Sequence, residues 1–172
     1  MSANKKLLGF ILVLSTTAVL WVACAMHHNE QSREDSLYSL YYASQEGDLA
    51  KVKSLIRGGC PINEKVAGFF GRTPLVCAII QDQTNVAQFL IESGADVNLD
   101  DRDGMTPLMW VATSGDEQAP LARSLIEHGA NLDAKNKDGH TVFDIAHAAP
   151  PRPIITEVLE TARDKQKQTS QK

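Results

Sequence analysis

Three cysteines and five histidines are the residues of this 172-residue chain best able to ligate a metal, attack a substrate or move a proton. Their spacing assembles none of these chemistries. Cys24, Cys60 and Cys77 show no paired metal-ligand interval, and His27, His28, His128, His140 and His147 form only one adjacent pair. No serine, histidine and aspartate arrangement is recoverable from motif spacing, and no glycine-rich phosphate loop occurs. Enzymatic chemistry, a cofactor, a metal site and a small-molecule substrate are therefore not expected. Cys60 and Cys77 read as small buried hydrophobes, with a disulfide between them left open should the compartment be oxidising and the geometry permit.

Composition narrows the partners. The chain carries 17 Lys and Arg against 21 Asp and Glu, a net charge of −4, with 43% hydrophobic residues. Nothing resembles the clustered cationic footprint of a nucleic-acid binder. Lys165, Lys167 and Lys172 stand among Gln, Ser and Thr, so residues 164–172 read as a disordered polar tail.

The elements that position these residues repeat. GRTPL at Gly71–Leu75, GMTPL at Gly104–Leu108 and GHTVF at Gly139–Phe143 recur at intervals of 33 and 35 residues. A second phrase interleaves: GGCPIN at Gly58–Asn63, SGADVN at Ser93–Asn98 and HGANLD at His128–Asp133, whose glycines Gly59, Gly94 and Gly129 lie 35 apart. Self-similarity at this period signals stacked repeats.

Within the clearest unit, Asp101–Gly104 reads as a turn, Thr106 as a helix cap and Pro107 as the first helical residue. Leu108, Val111 and Ala112 build one apolar face, and Gly115 stops the helix. Leu121, Leu125 and Ile126 repeat that periodicity in a second helix, which Gly129 ends. The preceding unit matches with Leu75, Ala78 and Ile79, then Val86, Phe89, Leu90 and Ile91, then Gly94. A lone helix pair cannot bury both its faces, so stacking must supply the core.

These residues resemble the ankyrin repeat, whose pattern runs roughly D-x-x-G-x-T-P-L-H-x-A-A-x-x-G and continues into a second helix ending L-L-x-x-G-A-x-V-N. The resemblance implies an all-α solenoid of about four helix-turn-helix units over 37–163: an amino-terminal cap at Leu37–Asn63, clear repeats at Gly71–Asn98 and Gly104–Asp133, and a carboxy-terminal cap from Gly139. Cys77 then holds a usually apolar first-helix position, and Cys60 stands where the family prefers Ala. Val76, Met109 and Asp144 replace the pattern's His, so its turn-stabilising hydrogen bond is expected to be missing throughout. Asp82 replaces a glycine between helices and predicts a strained or reshaped turn. Pro150, Pro151 and Pro153 interrupt the last unit, whose second helix should run from about Pro153 to Arg163.

Ankyrin domains generally bind proteins through their finger loops and the concave face of their first helices. Carried over position by position, the variable contact residues are Phe69, Phe70, Arg72, Ile80, Gln81, Arg102, Asp103, Met105, Thr113, Ser114, Lys137, Asp138 and His140. The first finger departs from the others. Gly59 and Gly71 are 12 apart, whereas Gly94 and Gly104, like Gly129 and Gly139, are 10 apart, so two residues are inserted and Phe69-Phe70 reach the tip. Aromatic anchors often dominate interface energetics. A second insertion, at Asp116–Pro120, reads as a simple lengthened turn between helices.

Ahead of the repeats, Lys5 and Lys6 precede a 20-residue run without charge, Leu7–Met26, long enough to cross a bilayer as a helix. Residues 1–26 are thus expected to be a signal peptide or membrane anchor, followed by a polar tether at 27–36. Three fates fit: an uncleaved anchor, cleavage at the A-x-A pattern Ala23-Cys24-Ala25, or lipidation at Cys24, although Trp21 stands where bacterial lipoprotein signals usually place Leu. All three put the repeats on the periplasmic or extracytoplasmic side, since cationic residues hold the amino end in the cytoplasm. The expected function is a non-enzymatic module binding a protein partner, for instance an immunity or inhibitor protein against a secreted toxin; the alternative is a structural adaptor for an envelope enzyme, for example in oxidative-stress defence.

Overall fold

The computed structural model describes residues 32–66, 68, 70–148 and 152–169, and the chain divides into two compact units, Met1–Ser36 and Leu37–Lys172. In the first unit residues 32–36 are helical, with Ser36 Oγ donating to the Ser32 carbonyl at 2.9 Å. The polar tether expected over 27–36 is therefore helical from residue 32, in a stretch with no Gly or Pro to interrupt it. The apolar segment 1–26, Cys24 included, lies outside the described residues. Among those described, no helix is long and apolar enough to cross a membrane.

The second unit is built of helices, with no strand among the described residues: α1 over 37–46, α2 Leu49–Arg57, α3 Pro74–Ile80, α4 Thr84–Glu92, α5 Pro107–Thr113, a 3-10 turn at Asp116–Gln118, α6 Ala119–Glu127, α7 Val142–Ala148 and α8 Pro153–Thr169. Helices α3, α5 and α7 stack in one layer, and α2, α4, α6 and α8 stack in the other. Between them runs one continuous core, which includes Leu40, Leu75, Ile79, Leu90, Leu108, Leu121, Leu125 and Leu159. Each α5-type helix is seven residues long, too short to hold by propensity alone; burial of its apolar face is what keeps it folded.

Local chemistry repeats with the period. Thr73 and Thr106 cap α3 and α5 by accepting from the Val76 and Met109 amides at 3.3 and 3.4 Å, with Pro74 and Pro107 in the first turn. Helices α2, α4 and α6 all end in the same two-bond cap. At α4, Gly94 N–H donates to the Ile91 carbonyl at 3.0 Å and Ala95 N–H to the Leu90 carbonyl at 2.9 Å, while Gly94 takes a φ of 89°.

Asp82 occupies the equivalent cap of α3, where its φ of 56° is the strain its substitution for glycine predicts. The carboxy end differs from expectation. Helix α8 begins at Pro153 as expected but continues past Arg163 to Thr169, so 164–169 of the expected disordered tail is helical. Asp, Lys and Gln after Arg163 include no breaker, and Arg163 is anchored with its guanidinium 4.5 Å from the Phe143 ring centroid.

The substitution of the repeat histidines also has a different outcome at the last unit. Asp144 Oδ2 accepts from Thr141 N–H at 2.8 Å and from Thr141 Oγ1 at 2.7 Å, so the turn-stabilising bond is restored by a carboxylate. Those bonds hold the Asp144 carboxyl below the usual carboxylate range. At the other two positions Val76 and Met109 are buried, Met109 within the main core.

The insertion at Asp116–Pro120 is more than a lengthened turn. Buried Gln118 donates from Nε2 to the Ile79 carbonyl at 3.2 Å and to Asp82 Oδ1, reaching the preceding repeat. Asp116 Oδ1 accepts from Ile155 N–H at 3.1 Å, reaching the following one. The two inserted carbonyl-seeking and carboxylate side chains thus tie three consecutive units together. Cys77 is a free thiol packed with Tyr41 and Val66, while Cys60 packs on the main core, so the disulfide left open between them is not formed.

Candidate functional site

The finger loops are built from turns whose amides are satisfied by one side chain each. Asp101 Oδ1 accepts from the Asp103 and Met105 amides at 2.9 and 3.0 Å, and Asn136 Oδ1 accepts from Asp138 and His140 at 3.1 and 2.9 Å. Each turn closes with a backbone bond, Asp101 N–H to Met105 carbonyl and Asn136 N–H to His140 carbonyl. Neighbouring fingers are then joined through backbone: Arg102 N–H donates to the Phe70 carbonyl at 2.8 Å, and Lys137 N–H to the Asp103 carbonyl at 3.0 Å. Lys65 adds an exposed ion pair with Asp100 at 3.1 Å.

Close approach sets the residue at the tips. A Cβ on Gly104 would stand 3.0 Å from Lys137 N and 3.1 Å from Asn136 Cα, and its φ of 74° also calls for glycine.

This framework brings Phe70, Arg72, Arg102, Asp103, Lys137, Asp138 and His140 onto one ridge, all exposed except half-buried Arg72. Phe69 lies outside the described residues. Phe70 is 59% exposed and takes a φ of 55°, an uncommon conformation for a bulky side chain. Ile80 is half-buried and Gln81 exposed at the end of α3. Met105 instead packs against the core, with its sulfur 3.7 Å from Asn136 Nδ2. The hydroxyls of Thr113 and Ser114 donate back to the Trp110 carbonyl at 2.8 and 3.2 Å, which commits them to ending α5.

At the centre of the ridge stands a cluster that the sequence reading did not single out. The Arg72 guanidinium lies 5.1 Å from both the Phe70 and the Trp110 ring centroids, and two such contacts together contribute about 1–2 kcal/mol where partly exposed. Trp110 Nε1 donates to Asp101 Oδ2 at 3.0 Å, and Arg72 Nε approaches the same oxygen only to 4.0 Å. The Asp101 side chain is fully buried. Trp110 was legible in principle as a polar-tipped aromatic on α5 off the face made by Leu108, Val111 and Ala112; it is half-buried at the edge of the main core.

Behind Arg72, burial pushes the Cys77 thiol up to about 11, against the lowering effect of its hydrogen bond with Tyr41. Burial, then that same bond, raises the Tyr41 phenol as well. Both groups are therefore neutral at physiological pH, and Cys77 is poorly suited to act as a nucleophile. No group of three or more His, Cys, Asp or Glu able to hold a metal occurs among the described residues.

Comparison with known proteins agrees with this architecture. A family model described as ankyrin repeats, in 3 copies, matches residues 14–101, 40–136 and 93–169. Among curated proteins, Inversin of Gallus gallus is 36% identical over 76 residues, covering 44% of this chain and 7% of that protein. Palmitoyltransferase AKR1 of Saccharomyces cerevisiae is 39% identical over 75 residues, covering 42% of this chain and 10% of that protein. The chain thus spans a tenth or less of the length of these relatives.

Proposed function

The chain belongs to the ankyrin-repeat family, and from that membership we propose that it is a non-enzymatic module that binds a protein partner through the ridge of fingers and first helices. The observation that carries this reading is Phe70, a largely exposed aromatic in a left-handed backbone conformation at the tip of the one lengthened finger. Strain of about 1–2 kcal/mol persists where surrounding structure holds it, and it clusters at binding and catalytic positions. Around Phe70 the fingers are pre-ordered by backbone bonds, so a partner would lose little entropy in ordering them.

We further propose that the module faces the periplasmic or extracytoplasmic side, tethered by residues 1–26, and blocks a secreted toxin as an immunity protein does. The uncharged run Leu7–Met26 behind Lys5 and Lys6 supports the placement. Intact mass of the mature protein tests it: a species lacking the residues before Ala25 or Met26, without lipid, would exclude a tether.

The module reading is tested by capture with the tagged full-length chain from envelope extracts, compared with Phe70→Gly. Glycine relieves the backbone while removing the ring contact with Arg72, so these small effects of about 1 kcal/mol oppose each other and the thermal midpoint should barely move. Capture of a stoichiometric partner should fall at least about tenfold. Equal capture by both forms, or none by the wild type, sinks the reading. Loss of the partner's own activity on binding supports the inhibitor role, and unchanged activity supports the adaptor.

A further inference from the structure

Phe70 stands in a stretch that does little to fix it. Gly68 and Gly71 lie on either side with φ of 99° and 67°, and Phe70 and Gly71 form a left-handed pair whose first position suits Asn far better than a bulky aromatic. What holds the ring must therefore come from beyond its immediate neighbours. One hold is on the backbone: Arg102 N–H donates to the Phe70 carbonyl at 2.8 Å, and Arg102 Cγ lies 3.1 Å from where a Cβ on Gly71 would stand. The other is on the ring, whose centroid lies 5.1 Å from the Arg72 guanidinium.

Arg72 cannot hold the ring alone. A long cationic side chain is free to leave an exposed aromatic for water unless something fixes it. No hydrogen bond does so at Nε, which is buried without an acceptor and reaches Asp101 Oδ2 only to 4.0 Å. Trp110 does so instead, with its ring centroid also 5.1 Å from the guanidinium. Trp110 is itself fixed twice, by packing half-buried against the main core and by donating from Nε1 to Asp101 Oδ2 at 3.0 Å. Asp101 in turn is fully buried and bonded to the Asp103 and Met105 amides. Order thus passes from a buried carboxylate through an indole and a guanidinium to an exposed ring.

We propose that Trp110 is a positioning residue of the binding surface, fixing Phe70 through Arg72 in the pose that the partner meets. The proposal rests on the binding-module reading and adds that the tip of the first finger is set by the first helix of the next repeat. A change at Trp110 then reaches partner affinity without Trp110 touching the partner.

Nuclear magnetic resonance on isotope-labelled full-length chain in zwitterionic detergent reads the pose with no partner present. In the wild type the Phe70 Cα shift should report a left-handed backbone, and the Arg102 amide should be protected by its bond to the Phe70 carbonyl. Two variants break the chain of contacts at different points: Trp110→Leu removes the indole, and Arg72→Met removes the cation but keeps both rings. Each should move the Phe70 Cα shift toward its unfolded value. Each should also speed Arg102 exchange at least about tenfold relative to Ala130, whose amide bonds the Leu125 carbonyl in the cap of α6. Trp110→Phe, which keeps a ring for the guanidinium, should recover most of the protection. Arg102 exchange that rises only in step with Ala130 would make Trp110 a core residue and overturn the proposal.

For a captured partner, Trp110→Leu and Arg72→Met should each weaken binding at least about tenfold, and the double variant no further than the worse single one, because both act through one ring. Additive losses would mean that Trp110 touches the partner itself, which also overturns the proposal. If both variants keep the pose and only Phe70→Gly abolishes capture, the module reading stands and the role of Trp110 falls. If both lose the pose while capture survives them and Phe70→Gly alike, it is the module reading through Phe70 that falls.

Discussion

At Asp101 one buried carboxylate answers three donors, the amides of Asp103 and Met105 and the indole of Trp110, and also sits beside Arg72. Removing it strands all of them in a site from which water is largely excluded. Asp101→Ala should therefore cost about 3 kcal/mol, the low end for breaking a buried charge pair because Arg72 is partly exposed; a denaturation midpoint unchanged within error would show that the turn forms without it. Asp144 is the contrasting case, an exposed carboxylate whose pKa is lowered chiefly by the Thr141 amide and then by the Thr141 hydroxyl. A lowered folded pKa stabilises above the unfolded value of about 3.9 and is lost as pH falls through the folded value. Asp144→Asn should melt below the wild type at pH 7, and the gap should close in melts taken at progressively more acid pH; a gap constant down to acid pH would assign the effect to packing.

Among the elements, the fingers depend on glycine in a way the helices do not. Gly104 combines a φ of 74° with backbone of the next finger 3.0 Å from where a Cβ would stand. Gly104→Ala must strain the turn and displace Lys137, at a cost of about 2 kcal/mol. Hydrogen exchange should show the Lys137 amide losing protection first, since its bond to the Asp103 carbonyl crosses that gap. Protection unchanged at Lys137 would mean the fingers are not coupled. Gly129 is a useful control: its φ is 87° but no atom stands within 4 Å of its Cβ position, so alanine there carries backbone strain alone.

For the whole molecule, stability is a sum over neighbours. Each first helix packs on the next in the order α3, α5, α7, and each second helix in the order α2, α4, α6, α8, with one core running through. Excising 104–138 removes α5 and α6, together with Gln118, which reaches back to Ile79 and Asp82, and Asp116, which caps Ile155. The remaining units would meet without those ties, and too few interfaces would survive to offset the chain entropy of ordering short helices. Circular dichroism should show a transition that is broader and lower in temperature, or none; a sharp transition at the wild-type midpoint would mean that the repeats are independent.

Period, caps and layers were all readable from the chain alone, because they depend on contacts within a few residues. Thr-Pro at a helix start, glycine in a left-handed cap and apolar residues at helical spacing each specify a local geometry, and repetition specifies the stacking. The finger ridge was likewise legible as positions, from Phe70 to His140. What only tertiary structure decided were contacts between residues far apart in sequence. Met105 turned toward the core, Gln118 and Asp116 turned an apparent loop insertion into ties between repeats, and Asp144 took over a bond expected to be lost. Asp101, Trp110 and Arg72 met at one point, 29 to 38 residues apart along the chain for Arg72 and its two partners. Local pattern says where a side chain starts and which face it shares, but the direction of a long polar or aromatic side chain is set by what the neighbouring repeat leaves unsatisfied, and that is known only once the repeats are stacked.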